Sequence, residues 1–189
     1  MKKRIPIIIV FAVLALLLVF LYYHISNRED NKTQEVDVKL TKVQNVLMRN
    51  LDANYPPTPR EVLKYYNEIT MCFYNETYTD EELEALGMKI RQLYDDDLIA
   101  TQTQKEYLDS LREDVLEFKG FHRTISSYTL SSSVDIENAK FTVDGRECTK
   151  AYVNYTLSVA GKLATSSEIF VLRKDDSGHW KILGWDLAK

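Results

Sequence analysis

From Ile5 to Tyr23 the chain runs through 19 positions of which 18 are apolar or aromatic, the exception being Pro6. As a helix this run would extend about 28 Å at about 1.5 Å per residue, close to the roughly 30 Å of a bilayer's hydrocarbon core. A cleaved signal peptide carries a shorter apolar stretch, about 7–15 residues, and ends in small side chains. Here the run leads into Phe20, Leu21, Tyr22, Tyr23 and His24, all bulky, and no Cys stands directly behind it to take a lipid. The expectation is an uncleaved signal anchor over residues 1–25, with a cleaved signal peptide as the alternative. Lys2, Lys3 and Arg4 precede the run, which by the positive-inside rule places the N-terminus in the cytoplasm and the rest of the chain outside it.

The charges sort around the run. Three of the 24 Lys and Arg residues come before it, and all 28 Asp and Glu residues come after it. An acidic domain is poorly suited to nucleic acid or to an anionic lipid surface, so nucleic acid is not an expected partner. The remaining length suits one domain with a core of its own. Residues 26–57 read as a tether: a polar stretch to Lys39, then a short helix with Val43, Val46, Leu47 and Leu51 on one face, then an extended Tyr55-Pro56-Pro57.

Residues 58–189 form the folded domain. Three helix starts follow one another: Thr58-Pro59-Arg60-Glu61, Thr79-Asp80-Glu81-Glu82 and Thr103-Gln104-Lys105-Glu106. In each, Thr can cap and a Glu three residues later can complete a capping box. The first helix should run to about Asn75 with Val62, Tyr66, Ile69 and Phe73 as its stripe, and the third should close on Lys119-Gly120. After Gly120 the apolar period becomes two. Tyr128, Leu130, Val134 and Ile136 share one parity, then Ala151 to Val159 alternate up to a turn at Ala160-Gly161-Lys162. Two more strands follow, Leu163 to Arg173 and Trp180 to Leu187, around a turn at Asp175-Asp176-Ser177-Gly178. Long strands joined by short turns make the sheet antiparallel, and helices segregated before it make the domain α+β.

This order of elements, ending in Gly178-His179-Trp180-Lys181-Ile182, resembles the NTF2-like superfamily over residues 58–189. The resemblance implies three helices packed on a bent antiparallel sheet that closes into a cone. The stretch Tyr55-Pro56-Pro57-Thr58-Pro59-Arg60-Glu61-Val62 with Tyr65-Tyr66-Asn67-Glu68-Ile69 is similar to an uncharacterised family of small membrane-anchored proteins of Clostridia-type bacteria, which implies a bacterial cell membrane as the location. A single span before an NTF2-like domain is also similar to VirB8-type subunits of secretion and conjugation machines.

The sequence holds no recognisable catalytic set. None of His24, His122 and His179 has a carboxylate at a recognisable spacing. Asp186 with Tyr66, Tyr128 or Trp185 could line a pocket inside the expected cone, and an edge acid beside core aromatics is the simpler reading. Asp95-Asp96-Asp97 and Asp175-Asp176 lack the alternating ligands of a calcium loop and read as a helix junction and a turn. No phosphate loop, metal set or nucleophile motif is present, so no cofactor or metal is expected. Cys72 and Cys148 leave two readings open, a bridge from helix to sheet or two buried thiols. The expected function is a non-catalytic, membrane-anchored binding or assembly module facing a protein or envelope partner. The alternatives are a small-ligand-binding or isomerase- or hydrolase-like enzyme, and a subunit of a secretion or conjugation machine. Homo-oligomer formation is left open.

Overall fold

The computed structural model describes residues 40–188. The expected signal anchor and the first part of the tether lie outside them. Among the described residues no helix is long and apolar enough to cross a membrane.

The domain is α+β with an antiparallel sheet. Helix α1 (Lys42–Leu47) starts in a capping box between Thr41 and Gln44 and buries Val43 and Val46. It stops one turn short of the expected Leu51, which is buried instead from the following turn. There the Asn50 side chain accepts from the amides of Asp52 and Ala53. The Tyr65 hydroxyl donates to the Val46 carbonyl at 2.8 Å and fixes α1 on the next helix.

Helices α2 (Pro59–Asn75), α3 (Asp80–Arg91) and α5 (Gln104–Gly120) begin at the three expected threonines. Thr79 and Thr103 make complete boxes with Glu82 and Glu106. Thr58 makes half of one: its hydroxyl oxygen accepts from the Glu61 amide, but the Glu61 carboxylate takes the Thr58 hydroxyl rather than the backbone amide. The end of α5 also differs from expectation. Gly120 is the last helical residue, and the left-handed conformation falls on His122, at φ 52°. In α3, Gly87 leaves the space that Leu108 and Leu111 of α5 fill; a Cβ there would lie 2.9 Å from each.

The sheet has the order β1-β3-β4-β5, with β1 (Arg123–Leu130), β2 (Phe141–Val143), β3 (Arg146–Val159), β4 (Lys162–Lys174) and β5 (Trp180–Leu187). Both β1 and β2 pair with the same edge of β3. Between them the chain leaves the sheet, because Ser132 caps helix α6 (Ser133–Asn138) by accepting from the Asp135 amide. Val134 and Ile136, expected on the same strand as Tyr128 and Leu130, therefore belong to a helix. Ile136 is buried in the core and Val134 is exposed.

Helix α2 packs on the sheet against β1, β3 and β5. Its last residue makes a two-point junction: Asn75 Nδ2 donates to the Ile125 carbonyl at 2.8 Å, and the Ile125 amide donates back to Asn75 Oδ1 at 2.9 Å. Next to this contact, β1 carries a bulge between Ile125 and Ser127, so Asn75 serves backbone groups where the ladder is irregular. Asn75→Ala should cost about 1–3 kcal/mol, since it strands a donor and an acceptor at once. Urea denaturation of the variant beside the parent chain measures this; a change within error would show that water replaces the amide.

A second bulge decides the candidate site. Trp180 and Ile182 face the helices, but the β4–β5 register shifts between Val171 and Leu172, so that Val171 pairs with Gly184 while Leu172 pairs with Ile182. Leu183 is the extra residue. The inward parity then changes from even to odd, and Trp185, paired with Phe170, faces the helices.

The edge of β5 is covered by residues 93–95. The Asp95 amide donates to the Ile182 carbonyl and the Ile182 amide donates to the Leu93 carbonyl, each at 2.8 Å. Asp95 also caps the short helix α4 (Asp96–Ile99) and is bound by Arg173 of β4, whose Nε donates to it at 2.9 Å. The Arg173 Nη2 reaches both Asp95 and Asp97. The acidic run is thus a helix junction, tied to the sheet by a buried guanidinium.

Candidate functional site

A cleft opens between the helices and the β4–β5 end of the sheet. Tyr66, Thr70 and Tyr74 come from α2, where they stand four residues apart on one face, and Asp114 comes from α5. Trp185 closes the sheet side. These five residues are shared by two adjoining lobes.

The first lobe, about 260 Å³, is walled by Ile90, Tyr94, Leu98 and Tyr107 and carries Arg91. The Arg91 Nη2 donates to the carbonyls of Ile99 and Gln102 at 3.1 and 3.0 Å, and its guanidinium lies 5.4 Å from the Tyr107 ring centre. Its Nη1 is buried without a hydrogen-bond partner among the described residues. The second lobe, about 430 Å³, adds Phe118, Tyr155, Leu157, Ser166 and Glu168.

The walls are aromatic. Trp185 stacks on Phe170 at 5.7 Å with planes 20° apart, and lies 5.9 Å from Tyr66 and 5.7 Å from Tyr94. Tyr94 meets Tyr107 edge-on at 6.2 Å, and Tyr74 lies 4.1 Å from Phe118. Trp185 remains 41% exposed, so it is packed on one side and open on the other. An aromatic ring held that way offers a stacking surface already ordered before a ligand arrives.

Besides Arg91 and neutral groups such as the hydroxyls of Thr70 and Ser166, the cleft's polar groups are phenols and two acids. Burial pushes Tyr66, Tyr74, Tyr94 and Tyr155 above the usual phenol value, and Tyr107 up to about 12. All five stay protonated at neutral pH, which makes them hydrogen-bond donors and not bases. Burial also raises the carboxyl of Glu168. The Tyr74 hydroxyl donates to the Asp114 carboxylate. Among the described residues no group of three His, Cys, Asp or Glu is placed to hold a metal ion.

A family model described as a domain of unknown function, DUF6715, matches residues 1–185. The chain belongs to this family. No curated protein matches it.

Of the expected pocket residues in this DUF6715 member, Tyr66 and Trp185 are brought together. Tyr128 sits on the same face of the sheet, opposite Tyr155, but does not line the cleft. Asp186 does not belong to the site: the bulge at Leu183 turns it outward, where it is exposed and accepts from the Leu187 amide. The acids that do line the cleft are Glu168 and Asp114. Glu168 has the parity of Phe170 and Leu172, so it is an acid on the buried face of β4, and that parity was readable. Nothing in the spacing joins Asp114 to Tyr74, 40 residues away on another helix.

Cys72 and Cys148 are both buried and both free in the structure. Cys72 borders a separate cavity of about 500 Å³ between α1 and α2, with Lys42, Val46, Arg49 and Tyr65. Burial pushes its thiol up to about 11, which makes it a poor nucleophile there. His179 does have a carboxylate nearby, contrary to the sequence reading: its Nδ1 lies 3.8 Å from Asp175, and its ring lies 4.4 Å from Tyr55. This pair lies in the turn before β5, away from the cleft. Asp175 shapes that turn by accepting from the amides of Ser177 and His179.

Proposed function

We propose that the protein is a membrane-anchored, extracytoplasmic binding module of NTF2-like architecture, and that it holds a ligand with a flat apolar part in the cleft between α2, α5 and β5. Anchorage and orientation rest on the apolar run Ile5–Tyr23 and the basic residues before it. The NTF2-like architecture rests on three successive helices and a bulged antiparallel sheet with helix α2 against it. The observation that carries the binding reading is Trp185: a large aromatic residue stacked on a fully buried Phe170, surrounded by tyrosines and left open to the cleft. Isolated exposed apolar side chains need no explanation, but one built into the wall of a concave site does.

Catalysis is the second reading, favoured by one observation, the raised carboxyl of Glu168. An acid catalyst needs such a group, but the neighbouring phenols are held protonated, and the one carboxylate beside it, Asp114, is engaged by the Tyr74 hydroxyl. Binding therefore accounts for more of the site.

The test uses the full chain in lipid nanodiscs and the neutral aromatic probe 2-phenylethanol. Calorimetric titration should give saturable heat, and Trp185→Ala should weaken it about tenfold, roughly 1.4 kcal/mol. Uptake of the probe by lipid is the same in both samples and cancels. Identical isotherms for the two proteins would remove the cleft as a binding site.

A further inference from the structure

We infer that the second lobe of the cleft receives an organic cation, an ammonium group carried on an aromatic or apolar body. The inference rests on the binding reading above and specifies its ligand class.

The lobe is lined by two carboxylates, Glu168 and Asp114, and by no Lys, Arg or His. Asp114, exposed at the rim, is held by the Tyr74 hydroxyl, while the part-buried Glu168 has neither a side-chain hydrogen bond nor an ion pair among the described residues. A carboxylate half-withdrawn from water without a partner carries a desolvation cost that a counter-charge would offset, as the Arg173 guanidinium does for the more deeply buried Asp95. The partner missing at Glu168 is a positive charge, and the lobe leaves room for one to enter.

The walls suit the same class. Tyr66, Tyr74, Phe118, Tyr155 and Trp185 present aromatic surfaces around the two acids. Aromatic faces attract cations, most strongly where water is excluded, and they favour an alkylammonium over a metal ion, which needs oxygen ligands in number. Arg91 sets the orientation. It lines the first lobe and not the second, so the positive end of a ligand is directed away from it and toward Glu168. The raised carboxyl of Glu168 agrees with an acid whose counter-charge comes from outside.

Three phenyl probes of similar shape test this on the full chain in nanodiscs: phenethylammonium, 2-phenylethanol and 3-phenylpropionate. Phenethylammonium should bind at least about tenfold tighter than either other probe, as a partly desolvated charge pair requires. Glu168→Gln should bring its affinity down to that of 2-phenylethanol, and Asp114→Asn should lower it by a smaller factor. An N-acetyl-Lys-Phe amide distinguishes the source of the cation: tighter binding than phenethylammonium points to a lysine side chain of a polypeptide, weaker binding to a free amine, and both agree with the inferred class. Equal affinities for the three phenyl probes, or a preference for the anion, would overturn the cation assignment while leaving the cleft as a binding site, provided Trp185→Ala still weakens them. If Trp185→Ala changes none of them, the binding reading falls as well. Glu168→Gln should also raise the thermal midpoint of the empty protein, because it removes a half-buried charge with no partner, and this checks that its loss of binding is not loss of fold.

Discussion

Arg173→Met should destabilise the protein by about 3–5 kcal/mol, the range seen when one partner is removed from a buried ion pair. The side chain of Asp95 is only 3% exposed and receives both Nε and Nη2 of Arg173, so the substitution would leave a carboxylate stranded between α4 and the sheet. Asp97 is largely exposed, and its share of the guanidinium contributes little. The double variant Arg173→Met/Asp95→Asn should recover most of the loss. Asn keeps the acceptor that takes the Asp97 amide and so preserves the cap on α4, but it carries no charge. Urea denaturation of the two variants followed by circular dichroism reads both effects. A double variant as unstable as the single one would mean that the geometry of the junction, and not the unpaired charge, sets the cost.

Phe170→Ala is the second large effect, again about 3–5 kcal/mol. Phe170 is fully buried at the centre of β4, opposite Ala151 on one side and Trp185 on the other, with Tyr66 edge-on at 5.2 Å. Its cross-strand neighbour Ala151 is too small to fill the space, so a cavity would remain. Phe170→Leu keeps most of the volume and should cost under about 1.5 kcal/mol. The denaturation midpoint should fall with an unchanged slope in both cases. Because Phe170 supports Trp185 from behind, the Ala variant should also lose affinity for 2-phenylethanol; retained affinity would show that Tyr66 and Tyr94 hold the indole without it.

The parts of the fold that were readable are those written in local chemistry. Thr58, Thr79 and Thr103 announce helices because a hydroxyl oxygen can accept from an amide three residues on, whatever the rest of the chain does. Gly145, Gly161 and Gly178 mark turns because each takes a positive φ, at 78°, 81° and 84°. Helix α6 was missed although Ser132 and Asp135 carry the same kind of signal, since Val134 and Ile136 continue the alternation of β1 and hide it. Trp185 and Tyr66 were legible as pocket residues, but the acid was misplaced. A bulge inserts one residue without changing composition or apolar content, so Leu183 gives no warning that parity reverses between Ile182 and Trp185. Glu168 has the opposite history. Its place on the inward face of β4 follows from strict alternation with Phe170 and Leu172, but the polar run Thr165-Ser166-Ser167-Glu168 has no apolar member to mark which side meets the helices.

The two tryptophans of the chain lie five residues apart on one strand and in different surroundings, and this separates two optical signals. Trp180 is 4% exposed, with Lys140 and Lys174 over its ring, and Trp185 faces the cleft. Intrinsic emission from Trp180 reports whether the sheet and helices are joined, whereas emission from Trp185 reports what stands against it. A Trp180→Phe chain is thus a fluorescent reporter of occupancy with no label added, and a Trp185→Phe chain is a reporter of folding that ignores the cleft.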